Sequence, residues 1–80
     1  SRDMKYLRIG DLVVGKRRWW GEHEILDEKF CKELGVVSGY DEHNPDRYYR
    51  VTFPFGTYLL FIDDLVLISQ NSAESIPENN

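Results

Sequence analysis

Residues 48–62, Tyr48-Tyr-Arg-Val-Thr-Phe-Pro-Phe-Gly-Thr-Tyr-Leu-Leu-Phe-Ile62, decide the fold class of this chain. In 48–53, Tyr49, Val51 and Phe53 fall on one side and Tyr48, Arg50 and Thr52 on the other. Period-two alternation in a stretch rich in aromatic and β-branched residues marks a half-buried strand. Pro54-Phe55-Gly56-Thr57 supplies turn chemistry, with proline fixing φ and glycine open to the positive φ of a tight reversal. Residues 58–62 then read as the returning strand. Asp63-Asp64 interrupts it, and 65–68 reads as one more short strand. An antiparallel meander follows, with Val13, Val37, Val51, Phe53 and Phe61 as its expected core.

Outward from that stretch the pattern stays mostly β. Residues 4–9 lead into a first strand, and Gly10-Asp11 is a turn signal before the apolar run Leu12-Val13-Val14. Gly15 marks a bulge or a close backbone approach. Residues 36–40 read as a strand, and 41–46 as a polar turn. Between them the period changes: Leu26, Phe30, Cys31 and Leu34 recur at helical spacing. A short helix over 28–34 is expected inside a long connection, with Asp27 capping its start and Gly35 its end; the alternative is an irregular loop folded over a barrel mouth. Residues 70–80 have only Ala73 and Ile76 as apolar side chains and are expected to be a disordered tail after a single domain over 4–69. Deleting that tail is then expected to leave the melting temperature unchanged.

Eighty residues support one small core. A five-stranded antiparallel barrel is the expected architecture, because closure hides strand edges and large aromatic residues fill a small interior. One cysteine excludes an internal disulfide, and no apolar run approaches the length of a membrane span or a signal segment. An intracellular protein is expected, cytoplasmic or nuclear. Ser1-Arg2-Asp3 ahead of Met4 has the look of a cloning remnant, which would make Met4 the native first residue. The net charge of −4 hides a gradient: residues 1–20 hold six basic against two acidic side chains, and 21–80 hold four against twelve. An acidic chain is poorly suited to general binding of nucleic acid, which depends on neutralising phosphates.

Gly10-Asp-Leu-Val-Val14, Gly35-Val-Val37, Tyr49-Arg-Val-Thr-Phe53 with Gly56, and Asp64-Leu-Val-Leu-Ile68 together resemble the Src-homology-3-like small barrels of the KOW and Tudor type. The stretch from Val14-Gly15 to Trp19-Trp20-Gly21 is similar to the start of mind-bomb-type domains. The resemblance implies a barrel over 10–68 and a binding role, for protein in the mind-bomb type and for nucleic acid in the KOW type. Residues 21–34 are an insertion relative to the KOW pattern, where this loop is short and basic.

The chemistry-bearing residues point away from catalysis. His23 lies between Glu22 and Glu24, and His43 lies in the polar turn 41–46. Both read as exposed loop histidines, neither has the spacing of a zinc site, and one cysteine anchors no thiolate cluster. Cys31 reads as a small buried hydrophobe. No enzyme, metal, cofactor or small-molecule substrate is expected. Lys16-Arg17-Arg18-Trp19-Trp20 is the sharper feature. In extended chain the two tryptophans point to opposite faces, so one is expected in the core. The other is either covered by Leu26 and Phe30 or exposed as an interface anchor. The partner-binding set is Lys16, Arg17, Arg18, Trp19, Trp20, Tyr40, Tyr48, Arg50, Phe55 and Tyr58. Another protein is the expected partner and no membrane is. Two alternatives use the same residues. Nucleic acid would be held by 16–20, with tryptophan stacking. A methylated cation would sit in a Tudor-like aromatic cage of Trp19 or Trp20, Tyr40, Tyr48, Phe55 and Tyr58, with Asp41 or Glu42 nearby.

Overall fold

A computed structural model describes residues 6–71. The elements are β1 (Leu12–Gly15), β2 (Trp19–Trp20), β3 (His23–Glu24), α1 (Glu28–Lys32), β4 (Gly35–Tyr40), β5 (Tyr48–Phe53), β6 (Gly56–Phe61), a 3-10 turn (Ile62–Asp64) and β7 (Leu65–Ser69). Five strands form one antiparallel sheet in the order β6-β5-β4-β1-β7, and β2 with β3 forms a separate two-stranded ribbon.

The closed barrel is not found, and with it goes the likeness to Src-homology-3-like barrels of the KOW and Tudor type and to mind-bomb-type domains. Strands β6 and β7 share no ladder, so the sheet is open at both. The chain leaves β6 through Ile62–Asp64, and the Asp64 carbonyl accepts a 2.7 Å hydrogen bond from the Lys16 amide. That bond delivers β7 to the free side of β1 rather than back to β6. The inner face is covered instead by Phe30 of α1 and by Leu26 and Leu7, which pack on Val13, Val37, Tyr49, Val51, Phe53, Leu60 and Leu65.

Strand phase follows from the turns. The β5–β6 reversal uses only Pro54 and Phe55, with Phe53 opposite Gly56. Val51 is therefore opposite Tyr58 and Tyr49 opposite Leu60, which puts Tyr58 and Leu60 on the inner face. Phe61, expected in the core, lies half-buried on the outer face beside Tyr48, with ring centroids 5.2 Å apart. Val13, Val37, Val51 and Phe53 are buried.

The helix is shorter than the predicted 28–34, ending at Lys32, with Glu33 already extended. Asp27 stands at its N-cap but its carboxylate makes no capping bond; its carbonyl accepts from the Phe30 amide at 3.1 Å. Gly35 begins β4 and does not cap the helix. Five residues are too few for a helix to persist on propensity alone, so burial of Phe30 holds it. Close packing against β1 needs Gly15. A Cβ there would meet Leu26 Cδ2 at 2.7 Å and the Phe30 carbonyl oxygen at 2.8 Å. The leucine can turn away, but the backbone oxygen cannot. Gly15→Ala is expected to cost about 1–3 kcal/mol, checked by urea denaturation.

Residues 72–80, most of the predicted tail, lie outside the described residues. Asn71 is fixed: its amide donates to Asp11 Oδ1 at 2.7 Å and its side-chain Nδ2 to the Ile9 carbonyl at 2.8 Å. No helix among the described residues is long and apolar enough to cross a membrane.

Candidate interaction surface

The pentapeptide 16–20 leaves the sheet at the end of β1 and turns back through Gly21-Glu22. Trp20 pairs with His23 and Trp19 with Glu24, and the Ile25 amide donates to the Arg18 carbonyl at 2.9 Å. Gly21 has φ 64°, as a two-residue hairpin loop requires at its first central position. The ribbon belongs to neither face of the main sheet, so the expectation that one tryptophan enters the core fails. Trp19 is 59% exposed and Trp20 77%. Leu26 and Phe30 face the core and do not cover them.

The neighbouring cations are engaged within the chain. Arg17 Nη1 donates to Glu24 Oε2 at 2.6 Å, and Arg17 Nη2 lies 3.8 Å from Glu28. Arg18 is ion-paired with Asp64. Glu28 also pairs with Lys32 at 2.9 Å, and that hydrogen bond, with the lysine's charge, holds its carboxyl below the usual range. These pairs fasten the ribbon to α1 on one side and to the 3-10 turn on the other. Lys16 is exposed and takes part in no ion pair among the described residues.

The other predicted residues are dispersed. Tyr40 packs edge-on to buried Tyr49 at 5.6 Å, where burial pushes the Tyr49 phenol upward and its oxygen accepts the Leu7 amide. Tyr48 stands with Phe61. Arg50 donates to the Tyr40 carbonyl at 2.9 Å. Phe55 and Tyr58 join Phe30 and Phe53 in a cluster, with Phe55 stacked on Phe53 at 5.2 Å and edge-on to Phe30 at 5.5 Å. The cage aromatics are therefore divided among separate ring contacts. One part of that set already holds a cation: Lys29 Nζ lies 5.0 Å from the Phe55 ring centroid, 5.4 Å from Phe30 and 5.5 Å from Tyr58. Sequence reading did not single out Lys29, Glu24 or Asp64. Only the Arg17–Glu24 pairing had a local signal, the Gly21 turn that folds 17 and 24 together.

His23 and His43 are exposed, and among the described residues no group of three or more His, Cys, Asp or Glu side chains is placed to hold a metal ion. Cys31 is half-buried, and burial raises its thiol pKa, which works against a reactive thiolate. Comparison with known protein families, with curated proteins and with solved structures finds no match.

Proposed function

We propose that this domain is a non-catalytic interaction module that docks another protein on the β2–β3 ribbon, with Trp19 and Trp20 as anchors. The observation that carries this reading is the exposure of both tryptophans on a ribbon pinned by ion pairs. A pre-ordered aromatic anchor loses little side-chain freedom on binding, and tryptophan is enriched among residues that dominate interface energetics. A protein partner is favoured over nucleic acid because Arg17 and Arg18 are already neutralised by Glu24, Glu28 and Asp64. A phosphate backbone would have to displace those carboxylates in a chain of net charge −4. A methylated cation is not favoured, since Lys29 stands over the Phe55 and Tyr58 rings.

The test compares the intact domain with its Trp20→Ala and Trp19→Ala variants. A partner recovered by the intact domain is purified and its affinity measured by calorimetry. Each tryptophan variant should lose about 2 kcal/mol or more of binding. Its melting temperature should hardly move, because exposed substitutions fall within about 0.5 kcal/mol. A parallel salt titration uses single-stranded and duplex oligonucleotides. Micromolar, steeply salt-dependent binding lost in Arg17→Ala/Arg18→Ala would overturn the protein reading.

A further inference from the structure

Strand β6 is an edge without the usual guards. Its six residues, Gly-Thr-Tyr-Leu-Leu-Phe, contain no charge and no proline, and its ladder with β5 runs through six pairs without a register shift. Natural sheets commonly protect such edges with charges, prolines or bulges. The opposite edge has one such device: Leu12 faces Ser69 while Val13 faces Leu67, so Ile68 is an extra residue that bulges β7.

The hairpin register fixes which backbone groups of β6 are free. In a two-residue hairpin the closing pair, here Phe53 and Gly56, exchanges hydrogen bonds, and bonded pairs then alternate. The 2.7 Å bond from the Ile62 amide to the Arg47 carbonyl keeps the same phase. Gly56, Tyr58 and Leu60 thus turn their amides and carbonyls towards β5, while those of Thr57, Leu59 and Phe61 point out of the sheet. No ladder or backbone bond among the described residues reaches these three.

We infer that β6 is a self-association edge, pairing antiparallel with β6 of a second copy about a two-fold axis at Leu59. In that register Leu59 faces Leu59, and Thr57 faces Phe61 on both sides. The three outward residues of each copy exchange six backbone hydrogen bonds, joining two five-stranded sheets into one of ten. Leu59 is 50% exposed and shares the outer face with Thr57 and Phe61, so the apposed side chains cover one another. The composition of the edge favours a second copy over an unrelated strand. The β6 of a second copy is equally free of charge, so this pairing apposes Leu59, Thr57 and Phe61 with no like charges between the strands. This edge is separate from the β2–β3 ribbon, so the two proposals stand or fall independently.

A single strand pair is smaller than a standard interface, so the dimer is expected to form between about 10 μM and 1 mM. Sedimentation velocity across that range should show a concentration-dependent monomer–dimer equilibrium. Over the same range, amide resonances of Thr57, Leu59 and Phe61 should shift and their hydrogen exchange should slow, while those of Tyr58 and Leu60 change little. Leu59→Lys sets two ammonium groups face to face and should leave only monomer. Leu59→Pro removes a donor that β5 does not use and should do the same. Thermal melts confirm that the variants remain folded, and Trp20→Ala should dimerise like the parent. A parent that stays monomeric to about 1 mM would overturn the inference. So would a dimer that survives in folded Leu59→Lys, or one whose concentration-dependent amides lie on β7 or the ribbon.

Discussion

Replacing Phe53 by alanine is expected to remove about 3–5 kcal/mol of stability, enough to leave much of an 80-residue domain unfolded at room temperature. Phe53 is 3% exposed and lies where β5, α1 and the β5–β6 loop meet. Its ring is edge-on to Phe30 at 5.3 Å and stacked on Phe55 at 5.2 Å. The opposite wall is the Gly35 backbone, so close that a Cβ there would stand 2.7 Å from Phe53 Cε2. Truncation leaves a cavity that a strand backbone on one side and a five-residue helix on the other cannot collapse to fill. Part of the loss should come from α1 itself, since Phe30 is its one buried residue. Urea denaturation followed by tryptophan fluorescence and by far-ultraviolet circular dichroism measures the total. A loss below about 1 kcal/mol would mean that Phe53 is not the centre of the core.

Phe53 was legible because Arg50 and Thr52 alternate with Tyr49, Val51 and Phe53, and polar residues on the outer face fix the strand's phase. The next strand lacks that aid. Tyr58-Leu-Leu-Phe-Ile62 is apolar throughout, so composition does not distinguish its faces, and only the pairing of Tyr49 with Leu60 and of Tyr48 with Phe61 shows that Leu60 faces inward and Phe61 outward. Barrel closure was unreadable for a different reason. It depends on where β7 lands, and that is set by the Asp64–Lys16 backbone bond between residues far apart in sequence. The same distance hid the state of the basic stretch. Arg18 looks like a free cation beside tryptophans until Asp64, 46 positions away, is brought against it. The alternation rule correctly set Trp19 and Trp20 on opposite faces. It misled only in assuming that one face was the core, since the ribbon has no core side.

Asp11→Ala is expected to cost about 3–5 kcal/mol, as much as a core aromatic, although the sequence marks Asp11 only as a turn residue. Its side chain is 0% exposed. Oδ2 accepts the Arg8 amide at 2.9 Å and Oδ1 accepts the Asn71 amide at 2.7 Å, so one carboxylate joins the two ends of the described chain. Its own carbonyl accepts the Val37 amide at 2.9 Å, which positions it beside β4. A hydrogen bond to a charged group contributes about 1.5–3 kcal/mol, and removing the acceptor leaves the donors without it in a buried place. Asp11→Asn keeps the volume and one acceptor oxygen but turns an amide group towards the other donor, so it should fall between wild type and alanine. The same contact changes the expected result of shortening the chain. Ending it at Gln70 removes Asn71, and the domain should lose about 1–3 kcal/mol rather than nothing. In an Asp11→Ala background the same truncation should cost much less, because the shared bond is already gone. Denaturation of the four proteins of this cycle measures the coupling between positions 11 and 71. Additive losses would show that Asp11 and Asn71 act separately, and that the carboxylate does not hold the end of β7 in place.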